Sequence, residues 1–255
     1  MRALLADVPP EAAVASDWAY LPWLANRSLL DTLLAPPYPE LAPARPPDVL
    51  VSRVPVANAA TSPFYPWTLR DSAGSPLRVP RYLPAEATSG GLTLFEWRGA
   101  EHDVELNRFD VPFERGLVLL AAGLPPEAPN WGPLIGVEPG TMLPVWLAWT
   151  AHQPLDQRIT FTLHLVDGDG ARVAQVDQEM GGGRFPATLW HMWMDVPTIT
   201  DEFQLTVPAD LPPGRYRLLA GAYESEAVVP LLRRGGDPWF DLATLEVLQT
   251  AQPDP

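Results

Sequence analysis

The second half of the chain, residues 140–247, alternates apolar and polar residues in short runs that end at turn-forming residues. Residues 159–166 and 203–207 are two such runs, and Gly, Pro or Asp residues bound them. A period of two between turn signals indicates half-buried antiparallel strands. Several such strands within about a hundred residues predict a β-sandwich.

Proline content limits the rest of the chain. There are 32 Pro among 255 residues, against an average usage of about 5%. Proline is excluded from helix interiors and from central positions of a sheet. We therefore expect a mainly β protein with little helix and long connections, and 47% hydrophobic residues with ten Trp are enough to fill a core.

Charge and cysteine content exclude several classes of function. The formal net charge is −14, and all 17 basic residues are Arg. An acidic surface repels phosphate backbones and anionic lipid, so we expect no nucleic-acid partner. The chain has no Cys, which excludes disulfides and thiolate chemistry.

No membrane span is expected in this chain. No run approaches the ~18 apolar residues that a spanning helix needs, and the longest run, residues 117–124, has the length of a strand. The N-terminus has no basic region followed by an apolar run, so no signal peptide is visible.

The domain organisation follows from these patterns. We predict a small irregular α/β domain with Pro-rich connections over residues 1–100, a β-sandwich (Ig-like or jelly-roll-like) over 101–250, and a tail at 251–255. In the first domain, strands are expected at 48–52 and 92–97, a short helix is expected to begin near Ser16 or Asp17, and residues 55–84 are expected to be irregular.

The Asp167-Gly168-Asp169-Gly170 segment allows three interpretations, one of which is the Asp-x-Asp spacing with which some nucleotide-sugar transferases hold a metal. It begins like a calcium loop, but the twelfth position is the neutral Gln178. It also lies between two alternating runs, where Asp-Gly supplies the positive φ angles of a tight turn. The pattern favours a hairpin.

Metal and catalytic motifs are not apparent. The four His residues do not group at metal-ligand spacing, and His164 shares a strand face with threonines, which predicts an exposed or rim position. We expect no metal, no cofactor and no enzyme activity. Two acid pairs remain as unspecific catalytic candidates, namely Glu224 with Glu226 and Asp237 with Asp241.

The aromatic residues are better candidates for ligand contact. Trp and Tyr rings at loops and strand ends stack on sugars, although they also fill cores. The predicted ligand-binding residues are Trp190, Trp193, Tyr223 and Trp239. If residues 190–194 are extended, the face of Trp190 is buried and Trp193 points outward.

Another pair of aromatic residues lies on one predicted strand. Trp146 and Trp149 fall on opposite faces of that strand. We therefore expect at least one of them to be exposed or at an interface.

Residues 117–248 resemble the soluble C-terminal domain of bacterial, Chloroflexota-type membrane glycosyltransferases that depend on dolichyl-phosphate-mannose. The resemblance departs at 191–194, where a Gly-Glu is missing, and after Tyr223, where an Asp-Pro turn is missing. The motifs that carry it are Pro139-Gly140, Leu147-Ala148-Trp149-Thr150-Ala151, Phe161-Thr162-Leu163-His164-Leu165-Val166-Asp167, Asp169-Gly170, Val173-Ala174-Gln175-Val176-Asp177, Pro186-Ala187-Thr188-Leu189-Trp190, Leu211-Pro212-Pro213-Gly214-Arg215-Tyr216 and Gly221-Ala222-Tyr223.

This resemblance implies an extracytoplasmic, non-catalytic module beside a membrane-embedded glycosyltransferase part that would hold the catalytic acids. Such a module would bind glycan or a cell-surface protein. Two alternatives remain open at this point: a structural or assembly protein of a surface layer or filament, and an enzyme with an unrecognised site.

Overall fold

A computed structural model of the chain describes residues 8, 12, 14–16, 30–32, 49–52, 77–79, 82–89, 92–97, 101, 103–124, 134–183, 186–193 and 198–248. The helix expected near Ser16 and the tail at 251–255 lie outside these residues.

The described part is mainly β, as predicted, and contains a β-sandwich. In chain order its strands are β1 Val14–Ser16, β2 Leu30–Thr32, β3 Val49–Ser52, β4 Leu77–Val79, β5 Tyr82–Ser89, β6 Leu92–Trp97, β7 Val104–Pro112, β8 Leu117–Gly123, β9 Leu134–Val137, β10 Met142–Ala151, β11 Ile159–Val166, β12 Arg172–Gln178, β13 Thr198–Thr206, β14 Gly214–Glu224, β15 Val229–Pro230 and β16 Phe240–Val247.

The first sheet lies in the N-terminal hundred residues and has the order β2-β1-β3-β6-β5. Strand β1 pairs in parallel with β2 and β3, whereas β6 pairs antiparallel with β3 and β5. The strands predicted at 48–52 and 92–97 are therefore confirmed as β3 and β6.

The sandwich consists of two further sheets. One has the order β13-β10-β8-β7-β4, and the other has the order β12-β11-β14-β16-β9 with β15 added beside β14. The pairs β10–β13, β11–β12 and β11–β14 are antiparallel, while β9 and β16 are parallel. The antiparallel strands expected from the alternation at 140–247 are thus present.

The first hundred residues contribute one strand to the sandwich. Strand β4 pairs antiparallel with β7, with Leu77 opposite Leu106. The expectation that residues 55–84 are irregular is wrong for β4 and for the start of β5. The reason is that edge strands and strands with bulges tolerate Pro, and Pro84 lies where the β5–β6 register shifts.

A chain of aromatic rings joins the two sheets of the sandwich. Trp149 of β10 contacts Phe161 of β11 with ring centroids 5.0 Å apart, and Phe113 contacts Trp149 at 5.2 Å. Trp190 also stacks on Phe161, with ring centroids 5.8 Å apart and planes 4° apart. These separations lie in the range of favourable aromatic pairs. Trp149, Phe161 and Trp190 are fully buried.

The outer face of the β10 sheet is also buried. Trp146 is 4% exposed and packs with Val79, Val104 and Ala148 in a second cluster. The expectation that Trp146 or Trp149 is exposed is therefore wrong. Both faces of β10 are covered, which sequence alternation alone does not reveal.

A buried carboxylate anchors the turn that follows β12. Asp201 of β13 is fully buried. Its Oδ2 accepts hydrogen bonds from Gln178 Nε2 at 2.8 Å and from the Gly181 backbone N–H at 2.7 Å. Gly181 and its neighbour Gly182 have φ of 62° and 61°, which glycine adopts at little cost. Asp201 thereby links the two sheets at this edge.

The β11–β12 connection is the predicted hairpin. Asp167 Oδ1 accepts hydrogen bonds from the backbone N–H groups of Asp169 at 3.0 Å and Ala171 at 2.8 Å. Gly170 has φ +83°. The Asp167 carboxylate therefore serves the turn itself.

Gly170→Val places a β-branched side chain at this left-handed φ and should destabilise the fold by about 1–3 kcal/mol. Gly168→Val is the matched control, because Gly168 lies in the same turn, has open space around it and does not have a left-handed φ. Thermal melts compare the two variants. Equal losses of stability would contradict the assignment of the strain to φ.

Candidate functional site

The outer face of the β11 sheet collects polar and aromatic side chains from three neighbouring strands. Thr162 of β11 lies opposite Asp177 of β12 and Gly221 of β14. One step along β11, His164 lies opposite Gln175 and Leu219. One step in the other direction, Thr160 lies opposite Tyr223. Phe161, Leu163 and Leu165 face the core.

Trp239 lies on top of this face. A Cβ at Gly221 would lie 2.6 Å from Cζ3 of Trp239 and 2.9 Å from the carbonyl oxygen of Pro238. The indole centroid is 4.2 Å from the imidazole centroid of His164, with the planes 43° apart. Gly221 therefore makes room for an indole that packs on the sheet and remains partly exposed.

The loop before β16 holds Trp239 in this position. The Asp237 carboxylate accepts hydrogen bonds from the Trp239 backbone N–H at 2.9 Å and from the Arg233 guanidinium at 3.1 Å. Arg233 N–H also donates to the Asp237 carbonyl at 2.8 Å. Gly235 and Gly236 close the turn with φ of 121° and 90°. The ring thus stands on a closed, hydrogen-bonded turn.

Hydrogen-bonding side chains lie on the same face as the rings of Trp239 and Tyr223. Gln175 Nε2 donates to Asp177 Oδ2 at 2.7 Å, and both residues are exposed. The Thr160 hydroxyl contacts the Ser225 hydroxyl at 2.8 Å. We define the outer-face patch as His164, Gln175, Asp177, Tyr223 and Trp239.

Two groups of the patch have shifted pKa values. Burial lowers the pKa of His164, the Arg172 guanidinium lowers it further, and the Asp177 carboxylate opposes both. Burial raises the pKa of Tyr223, and Asp177 also raises it, while a hydrogen bond with Thr160 opposes them. At neutral pH the imidazole is therefore uncharged and the phenol keeps its proton.

Two of the four predicted ligand-binding residues, Tyr223 and Trp239, lie on this one face. Both are partly exposed. Sequence reasoning missed Gln175 and Asp177, although their alternation along β12 places both on this same side. The prediction that His164 is exposed is wrong, because the side chain is 8% exposed under Trp239. The contact between His164 and Trp239 joins residues far apart in the chain, so no local sequence pattern indicates it.

Trp190 is on the opposite side of β11. It is fully buried against Phe161, so a ligand at the surface cannot reach it, and its predicted role in ligand binding is wrong. The segment is not extended either. Residues Trp190–Trp193 form a helical turn, α1, after the 3-10 turn Ala187–Leu189. The expected burial of Trp190 itself is confirmed.

Trp193 ends α1. Its side chain lies outside what the structure describes, so its role as a ligand contact stays a prediction.

Three of the four acidic residues considered as catalytic candidates are engaged in ion pairs, and the fourth, Glu226, is exposed. Glu224 pairs with the Arg115 guanidinium, Asp237 with Arg233, and Asp241 with Arg217 at 3.3 Å. No group of three or more His, Asp or Glu that could hold a metal ion occurs among the described residues.

The His164 shift predicts a pH dependence of stability. In the unfolded chain His164 protonates near pH 6.5, whereas its lowered pKa in the folded protein opposes protonation. The contribution of neutral His164 to the free energy of unfolding is therefore present above pH 6.5 and is lost as pH falls below that value. In urea unfolding, the free energy of unfolding should fall less between pH 7.5 and pH 5.5 for His164→Gln than for the parent. His152→Gln, at an exposed His, is the control. A parent-like loss in His164→Gln would contradict this explanation.

Comparison with known proteins identifies no family. No protein-family model matches the chain, and no curated protein matches it by sequence. No helix in the described ranges has the length and apolar character needed to cross a bilayer.

Two solved structures share weak similarity with the chain. The C-terminal domain of wzt matches with a TM-score of 0.36 and 11% identity over 57% of this chain and 80% of that one. A family 123 glycoside hydrolase from Clostridium perfringens, studied for glycolipid glycan hydrolysis, matches with a TM-score of 0.27 and 11% identity over 46% of this chain and 23% of that one. Scores this low give neither likeness weight for fold or function.

Proposed function

We propose that this β-sandwich is a non-catalytic, extracytoplasmic module that binds glycan through the outer-face patch and works beside a membrane glycosyltransferase. The observation that carries the proposal is the placement of Trp239, Tyr223 and Asp177 on one sheet face. Sugar recognition needs an apolar ring for stacking and hydrogen-bonding groups for the hydroxyls, and this face provides both.

Rigidity of the patch supports binding. Gly221 and His164 support the Trp239 ring from below, and Asp237 holds its backbone. A ring that is ordered before the ligand arrives loses little conformational entropy on binding. His164, Gln175, Asp177 and Tyr223 also lie on strands, which keeps the polar groups of the patch at set spacings.

The cellular setting and the lack of catalysis rest on other grounds. The link to a membrane glycosyltransferase and the extracytoplasmic location come from the resemblance over residues 117–248. The absence of catalysis is supported by the ion pairing of Glu224, Asp237 and Asp241, since a general acid or nucleophile must be available to the substrate.

The test is Trp239→Ala, measured by calorimetry against oligosaccharides of mannose, glucose, galactose and N-acetylglucosamine. Loss of the stacking ring should weaken binding at least tenfold, which is about 1.4 kcal/mol. Trp239→Phe keeps an aromatic ring and should retain part of the affinity. Melting temperatures verify that each variant is folded.

Trp193→Ala is measured beside it, because the sequence predicts a ligand contact at Trp193. If Trp193→Ala removes binding and Trp239→Ala does not, the binding site is not the outer-face patch. If the parent binds none of the sugars, the glycan proposal is wrong.

An assembly role is the second candidate, and exposed apolar side chains favour it. Val228 is 67% exposed with φ 54°, Val229 is 51% exposed, and Met142 is 57% exposed. Met142 is the first residue of β10. The other end of β10 is followed in the chain by Ile159, which pairs with Glu224, and Glu224 shortly precedes Val228 and Val229. Val228 and Val229 therefore lie at the opposite end of the sandwich from Met142, and these three side chains form no single flat patch, which makes assembly the weaker proposal.

A further inference from the structure

One row of residues runs across the outer-face patch from Asp177 through Thr162 to Gly221. The register places these three α-carbons in line on neighbouring strands. Adjacent strands are about 4.8 Å apart, so Asp177 lies roughly 10 Å from Gly221. Trp239 covers Gly221. A carboxylate and a partly exposed indole therefore stand at the two ends of one short row.

Asp177 is oriented as a hydrogen-bond acceptor. Gln175 Nε2 donates to Oδ2 at 2.7 Å, the Tyr223 side chain also hydrogen-bonds this carboxylate, and the Asp177 side chain is exposed at the surface. No salt bridge to a cation occupies it among the described residues. A carboxylate in this state can accept two hydrogen bonds from neighbouring hydroxyl groups, and such charge-assisted bonds are stronger than neutral ones.

A buried hydroxyl lies in the same row. Thr162 is fully buried, and its Oγ1 has no hydrogen-bond partner within the described part of the chain. Because the side chain is fully buried, a ligand at the surface cannot reach this hydroxyl. Thr162 therefore serves only as the spacer between Asp177 and Gly221 in this row.

The charges around the row disfavour an anionic ligand. Arg217 is paired with Asp241 at 3.3 Å. Arg172 lies opposite Val166, on the far side of His164 from the row, and its charge lowers the pKa of His164. The chain as a whole carries −14, and this field repels anions approaching from solution.

We propose that the outer-face patch selects an uncharged sugar, with a pyranose ring against Trp239 and two adjacent hydroxyls donating to Asp177. Asp177 is then a specificity-determining residue, since a carboxylate, sulfate or phosphate on the sugar would face its negative charge. This inference rests on the proposed glycan-binding function.

The experiment compares matched sugars that differ only at C6. Tetramers of β-1,4-linked mannose and glucose are each measured against the corresponding uronate tetramer, by calorimetry on the full chain. We expect the neutral member of a pair to bind at least tenfold more tightly. Asp177→Asn should weaken neutral-sugar binding about tenfold. It should also reduce the difference in affinity between the neutral tetramer and the uronate tetramer.

Asp169→Asn is the matched control. Asp169 is an exposed acid in the turn at the end of the same hairpin, so its replacement changes the net charge equally without altering the row. It should leave both affinities unchanged. An equal effect of Asp169→Asn and Asp177→Asn would assign the selectivity to overall charge and overturn the inference.

The outcomes separate the two proposals. Uronate binding as tight as neutral binding, abolished by Arg172→Gln, would overturn the inference and leave glycan binding intact. If Trp239→Ala weakens neutral-sugar binding and Asp177→Asn does not, the inference is also overturned and glycan binding is left intact. If neither neutral nor uronate tetramers bind, and the wider sugar panel also fails, both proposals are wrong.

Discussion

The contact between Trp149 and Phe161 is the interaction on which the sandwich depends. It joins β10 of one sheet to β11 of the other at 5.0 Å, and contacts of Phe113 with Trp149 and of Trp190 with Phe161 extend it. Burying rings of this size supplies much of the stabilisation of a core. The contact has a cost, because the Trp149 indole N–H is buried without an acceptor among the described residues. Such an unsatisfied donor costs about 1–3 kcal/mol.

This core also determines which side chains form the outer-face patch. Phe161 and its inward-facing neighbours occupy one side of β11, so Thr162 and His164 must face the other side. There Trp239 covers them, and Gly221 is the residue that permits so close an approach. One indole therefore shields a neutral His and presents a surface for stacking.

This double role belongs to the proposal, because the indole that would stack on a sugar also covers His164. Burial and Arg172 keep this imidazole neutral in the folded protein. Asp177 works against that shift, since it favours the protonated form.

The sequence by itself determined the strands and the turns. Alternation predicted β10, β11 and β14, and Asp-Gly chemistry predicted the turn at Gly170, because strand pleat and backbone φ are local properties. Only the tertiary structure decided which aromatic rings are buried. It covered both faces of β10 and brought Trp239 onto His164. These outcomes depend on packing between residues distant in the chain, which local patterns do not encode.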